Sequence, residues 1–244
     1  MAPSTDSFAE RVGRIAALGE PIRRALYRYV AAQPEPVDRV QAADAVGVAH
    51  HAAKFHLDKL EAEGLLDVDY SRPPGRGGPG AGRPAKRYRR SAAEVAVSLP
   101  ERRYDLAGHI MAQAITAAST SGVSIARALR DAATAAGRRL GEQAREQLSR
   151  RAGRAQALQA VSDVLSEYGY EPRPDGAELV LANCPFHDLA REHPDLICGV
   201  NHDLLESALN HCGCDGLHAH LDPAPGRCCV RISAAPTADP APAE

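Results

Sequence analysis

Short apolar stripes at helical spacing open the chain. Ile22, Leu26, Tyr29 and Val30 recur at the period of one helix face and predict a helix over 20–32. Pro34 and Pro36 stop it. A second helix is predicted over 37–45, with Val40, Ala43 and Val46 on one side, and Gly47 makes the turn after it. A third runs over 49–63, with Ala53, Leu57 and Leu60 stacked as its inward stripe. Gly64 follows, where a helix end favours a left-handed residue. Residues 65–70 then read as a strand. The next stretch, SRPPGRGGPGAGRPAKRYRR over 71–90, holds seven Arg or Lys and no acid. Gly and Pro fill most of the rest, so it cannot pack a core. It is predicted as a long hairpin tip whose second strand returns over 86–90.

The pattern from 99 to 168 is helical throughout. Tyr104, Ile110, Met111 and Ile115, then Val123, Ile125, Leu129, Leu140 and Leu148, fall at loose helical intervals. Gly122 and the stretch 151–154 are the predicted breaks, and Leu158, Val161 and Leu165 mark a third helix. Pro172 and Pro174 close this section. The last part alternates between strands over 178–182, 217–221 and 228–232 and helices over 185–192 and 195–210. Pro185 and Asp195 suit first-turn positions. The tail after Ser233 is rich in Ala and Pro and is predicted to be disordered.

Composition narrows the class. Of 244 residues 44% are hydrophobic but only 4% aromatic, with no Trp, so the core must rest on Ala, Leu, Val and Ile. A net charge of -2 argues against a uniformly nucleic-acid-coating protein, although a local basic surface fits within a balanced total. The N-terminus lacks the apolar region of a signal peptide. No stretch approaches the roughly 18 apolar residues of a membrane span. The expectation is a cytoplasmic protein with no membrane partner, where thiols stay reduced and structural disulfides are the minority case.

Helix, helix, Gly turn, helix, strand, basic hairpin, strand is the order of a winged helix-turn-helix. The segment GVAHHAAKFHLDKLEAEGLLDV, residues 47–68, resembles the recognition helix and first wing strand of ArsR-like bacterial regulators. That resemblance implies a helix in the major groove of double-stranded DNA. Turning Ala53, Leu57 and Leu60 inward puts His51, Lys54, Phe55 and Lys59 outward, with His50 at the helix N-terminal end. Asp58 also points out and would repel phosphate unless it sits away from the DNA backbone. In the wing, Arg76, Arg83, Lys86, Arg87 and Arg89 could neutralise phosphates, and Arg83 in its Gly/Pro frame suits a narrow minor groove. The competing readings are a plain helical domain and a solvated linker. The whole chain is expected to be α+β. Its parts are a DNA-binding domain over 12–95, a helical dimerisation segment over 99–168, a cysteine-containing sensor domain over 169–233 and a tail over 234–244.

All six cysteines fall in the last quarter, spaced Cys184-x13-Cys198-x13-Cys212-x-Cys214-x13-Cys228-Cys229. No CxxC knuckle is present, so ligands must be assembled by the tertiary fold rather than by one turn. Thiolates are the donors that iron–sulfur and zinc sites need. The segment NCPFHDLAREHPDLICGVNHDLLESAL…LDPAPGRCCV, behind a GRPAKRY wing, resembles the SufR family of bacterial iron–sulfur assembly repressors. The resemblance implies a homodimer, an iron–sulfur cluster as cofactor, and Cys184, Cys198 and Cys228 as its ligands. The fourth ligand stays open among Cys229, Cys212 and Cys214, or a nitrogen of His187, His193, His202 or His211. Cys229 is the best candidate for an inert buried cysteine, since strand alternation would point it away from Cys228.

The expectation is therefore a DNA-binding transcriptional repressor, not an enzyme, whose cluster occupancy controls operator binding. The alternatives are a zinc-stabilised or thiol-redox regulator. A cysteine-dependent enzyme using Cys184 near His187 is a further alternative, for which no orienting Asp or Asn is evident.

Overall fold

A computed structural model of the chain describes residues 7–71, 85–149, 152–176, 178–213 and 216–234. They divide into two compact units, residues 1–97 and 98–244.

In the first unit, local capping sets where each helix begins. Helix α1 (Phe8–Ala17) starts from a capping box in which Ser7 and Glu10 satisfy each other's backbone N–H groups. Helix α2 (Pro21–Ala31) has Pro at its first position, and the Glu20 carboxylate accepts from the N–H of Ile22 and of Arg23. Strand β1 (Val37–Asp38) leads into α3 (Arg39–Val46), which Asp38 and Gln41 cap in the same reciprocal way. Gly47 ends α3 at φ 73, a conformation that favours glycine. Helix α4 (His50–Ala62) follows, then strands β2 (Leu66–Ser71) and β3 (Ala85–Arg90), which form an antiparallel sheet in the order β1-β3-β2. The core is the α4 stripe of Ala53, Leu57 and Leu60, packed with Leu26, Val30 and the ring of Tyr88. Each fully buried leucine contributes on the order of 2 kcal/mol.

Two details depart from the sequence pattern. The buried face of α3 is Ala42 and Ala43, while Val40 is exposed. Val37 starts no helix; it pairs with Tyr88 in the sheet, and this shifts the start of α3 and turns its face. The Gly/Pro-rich hairpin tip, with Arg76 and Arg83, and the C-terminal tail lie outside the described residues.

The second unit begins with three helices, α5 (Tyr104–Ser121), α6 (Ile125–Glu146) and α7 (Arg154–Glu167). Gly122 closes α5 and Ser124 caps α6. Strands β4 (Pro172–Asp175) and β5 (Glu178–Leu181), helices α8 (His187–Glu192) and α9 (Pro194–Cys212), and strands β6 (Leu217–Leu221) and β7 (Val230–Ala234) complete it. The sheet is antiparallel in the order β4-β5-β7-β6. Pro172 and Pro174 form a strand rather than a plain terminator, because β4 lies at the sheet edge, where a missing N–H is tolerated.

The central helices and the cysteine-bearing segment share one hydrophobic core. Helix α6 lies on α9 with the two backbones in contact. A methyl group on Gly137 would sit 2.0 Å from the Leu204 carbonyl oxygen, and one on Gly141 2.4 Å from that of Ala208. Ser207 on α9 donates to the Thr134 carbonyl across the same seam. This seam leaves α9 little freedom to shift against α6, and α9 carries two of the cysteines, Cys198 and Cys212.

Candidate functional site

The first candidate surface is the outward side of α4 with strand β3. His50 and His51 begin α4 and are exposed, and His50 lies 3.1 Å from Asp44. Phe55 is 66% exposed near the middle of the helix, with the ring of His56 at its edge. Lys54 reaches Asp58 at 3.1 Å, and Lys59 pairs with Glu63. Lys86 binds Asp58 at 2.8 Å and also Glu61. Arg87 donates to the Pro36 carbonyl, and Arg89 lies 3.8 Å from Asp67. Positive groups on this face are thus interleaved with acids of the same unit.

Asp58 is the hub of that arrangement. Its carboxylate accepts from Lys54, Lys86 and the Tyr88 hydroxyl. Partial burial works against its charge, but these three donors together hold its carboxyl below the usual range. Burial and the bond to Asp58 push the Tyr88 hydroxyl up to about 12. The outward carboxylate therefore does not stand alone: it ties β3 to α4. Its partners could have been suspected only by knowing the register that brings Lys86 and Tyr88 over α4.

The second candidate is in the C-terminal unit. Cys184 follows β5, Cys198 sits near the start of α9, and Cys228 and Cys229 precede β7. All four are free thiols, with Cys184 and Cys228 buried. They are electrostatic neighbours: Cys184 and Cys228 influence each other, as do Cys228 and Cys229, and Cys198 feels the other three. Cys228 and Cys229 lie before the strand rather than in it, so the alternation expected to turn Cys229 away does not operate. Its thiol is free and half-buried.

Cys212 is not among these free thiols. Cys212 is buried at the end of α9 and is disulfide-bonded, and Cys214 lies outside the described residues. Among the histidines, His202 is engaged with the Ala219 carbonyl and Asp203, and His211 with the Ser207 carbonyl. His187 begins α8 and His193 precedes α9.

Backbone and side-chain bonds hold the segments that carry Cys184 and Cys228. The Cys228 N–H donates to the Leu181 carbonyl at 2.8 Å, tying the approach to β7 onto the end of β5. Asn183 donates to the carbonyls of Glu101 and Gly169. Arg102 donates to the Asn183 side chain and to the Cys184 carbonyl. The Cys228 sulfur receives the Asn201 amide at 3.2 Å and the Val230 N–H at 3.5 Å. Asn201 in turn accepts from the buried Tyr170 hydroxyl.

The electrostatics are those of protonated thiols. Donation to Cys228 and burial push the Cys184 thiol well above its usual range. For Cys228 the bond from Cys184 lowers the value, but donation to Cys229 and burial outweigh it and push the thiol up to about 12. Burial also raises Cys198, against the bond from Cys229. Among the described residues, no three His, Cys, Asp or Glu side chains already stand in metal-holding geometry.

Asn201, Tyr170, Arg102 and Asn183 were not singled out from the sequence. One signal was available for Asn201: it follows Cys198 by three positions, which puts both on one helix face.

Comparison with known proteins bears on the first candidate. Residues 18–69 match the helix-turn-helix domain family. This range spans α2, α3 and α4 and enters β2, so the N-terminal unit contains a helix-turn-helix domain and its small sheet is consistent with a wing. No curated protein matches the chain. Among solved structures the chain is similar to human N-acetylserotonin methyltransferase in complex with SAM, at 18% identity over 67% of this chain. The chain spans 58% of that protein's length, and at a TM-score of 0.21 the likeness carries no argument. No described helix is long and apolar enough to cross a membrane.

Proposed function

We propose that the chain is a homodimeric transcriptional regulator that binds operator DNA and carries an iron–sulfur cluster on its C-terminal thiols, with cluster occupancy setting DNA affinity. A repressor of iron–sulfur assembly genes is the form this takes. The observation that carries the reading is the convergence of four free thiols from three separate segments, in a chain whose other unit holds a helix-turn-helix domain.

The donor set suits the cofactor. Thiolates are the ligands of iron–sulfur clusters, and N–H groups aimed at a sulfur favour its anionic, metal-bound form. Cys228 has two such donors. Zinc takes the same thiolate donors, and metal analysis separates the two. Cys184, Cys198 and Cys228 would hold it, and Cys229 would complete the set. When bound, the cluster supplies reversible one-electron chemistry and sensitivity to oxygen and iron supply.

On the DNA side, α4 of each copy would enter the major groove, with His50, His51, Lys54 and Phe55 toward base edges. Lys59, Lys86, Arg87 and Arg89, with Arg76 and Arg83 in the wing, would address phosphates. Loading would act on the N-terminal unit through Arg102 and Asn183. They bind the Cys184 loop to residues 101–103, which follow directly on that unit in the chain.

Thiol oxidation is the second reading, because neighbouring thiols can each lose a proton and an electron to a peroxide-class oxidant and pair as disulfides. An enzyme has less support: the Cys184 thiol is engaged by Cys228 and held protonated, the reverse of an activated nucleophile. The test begins by selecting the operator from random-sequence DNA with anaerobically isolated protein. Gel shift then compares the loaded and metal-stripped forms. A tenfold or greater difference in affinity between the two is expected. Equal affinity would overturn the regulatory reading.

A further inference from the structure

Asn201 is fully buried in α9, where a polar side chain needs a reason. Its amide has two neighbours of opposite demand. The oxygen accepts from the Tyr170 hydroxyl, itself fully buried. With the oxygen on Tyr170 the nitrogen faces the other way, and there it donates to the Cys228 sulfur at 3.2 Å. The Val230 N–H approaches the same sulfur from the backbone. A neutral thiol is a weak acceptor and gains little from two N–H donors in an apolar interior. A thiolate bound to a metal keeps negative charge on sulfur, and each donor then offsets part of it.

We infer that Asn201, clamped by Tyr170, is a positioning residue for the thiol site: it orients the Cys228 sulfur and tunes its strength as a metal donor. The inference rests on the metal-binding reading of the thiols given above. In it, Tyr170 is the outer member of a relay that runs hydroxyl to amide to sulfur, and all three groups lie within the C-terminal unit. Outer partners of this kind change the affinity of a metal site and the electronic character of its ligand without touching the metal.

The test uses the full-length chain, anaerobic and with its thiols reduced, titrated with cobalt(II) alone. Thiolate-to-cobalt charge transfer gives an absorption band whose energy reports the sulfur directly. Asn201→Leu preserves bulk and removes the donor. It should weaken cobalt binding by about tenfold or more and move the band to lower energy, because the sulfur lone pairs lose their stabilising N–H. Tyr170→Phe keeps the amide but frees it to turn, and should move both readouts in the same direction by less. Circular dichroism and the thermal midpoint show which variants fold. If Asn201→Leu does not fold, Tyr170→Phe decides. A folded variant with affinity within about twofold of the parent and an unmoved band overturns the inference and leaves the thiol site standing. A parent chain that gives no charge-transfer band at all overturns the thiolate site and this inference together.

Discussion

Asp58 shows how one residue can look unfavourable in a sequence and be central in the fold. On an exposed DNA-facing helix it would repel phosphate. In the structure Lys54, Lys86 and Tyr88 converge on it and join α4 to β3. The linkage to pH has a definite sign. The folded carboxyl lies below its unfolded value near 4, so the unfolded chain binds more protons in that interval. The stability from this clamp is therefore complete at neutral pH and is lost as pH falls below about 4 through the folded value. Asp58→Asn should cost about 1 kcal/mol at neutral pH, after allowance for solvent screening of a partly exposed group. It should also flatten the acid limb of stability against pH, as measured by chemical denaturation. Phe55 is a separate case. At 66% exposure it contributes little to the core, so Phe55→Ala should leave the thermal midpoint nearly unchanged while weakening binding to the selected operator, read by gel shift.

At the scale of elements, the α6–α9 seam governs how firmly the C-terminal unit is held. Gly137 and Gly141 let the helices touch backbone to backbone. Gly137→Ala gains helix propensity but drives a methyl group into the Leu204 carbonyl. Overpacking of this kind typically costs about 1–3 kcal/mol, and the expected result is a lower thermal midpoint despite the better helix former. The elements most legible in the sequence were those with a strong local pattern. The Ala53–Leu57–Leu60 stripe fixed α4 nearly to the residue, and strand 217–221 agrees with β6. Tertiary effects were the ones missed. Val37 pairs with Tyr88, far away in sequence, so no local pattern could show that α3 starts later and buries Ala42. Pro172 and Pro174 read as breakers because edge position in a sheet is not a local property. The strand expected from Cys228 begins at Val230 instead, so alternation does not set which way Cys229 faces. The candidate ligands Cys184, Cys198 and Cys228 were named on resemblance, while the Tyr170–Asn201 support needed the fold to bring α9 against the approach to β7.

At the scale of the whole molecule, the account joins a DNA-reading unit to a thiol-bearing one through the chain that connects them. Arg102 and Asn183 are the side chains that bind that connection to the Cys184 loop. Arg102→Ala should leave metal content unchanged but shrink the affinity difference between loaded and stripped protein, measured on the same operator. Equal responses in the variant and the parent would remove Arg102 from the pathway. The central claim is that the thiols hold an iron–sulfur cluster, and its most direct test is iron and acid-labile sulfide per chain in protein isolated without oxygen. The expected result is coloured protein with iron and sulfide in similar amounts, about two to four of each per chain for the common clusters. Colourless protein with neither, or with one zinc and no sulfide, would contradict it.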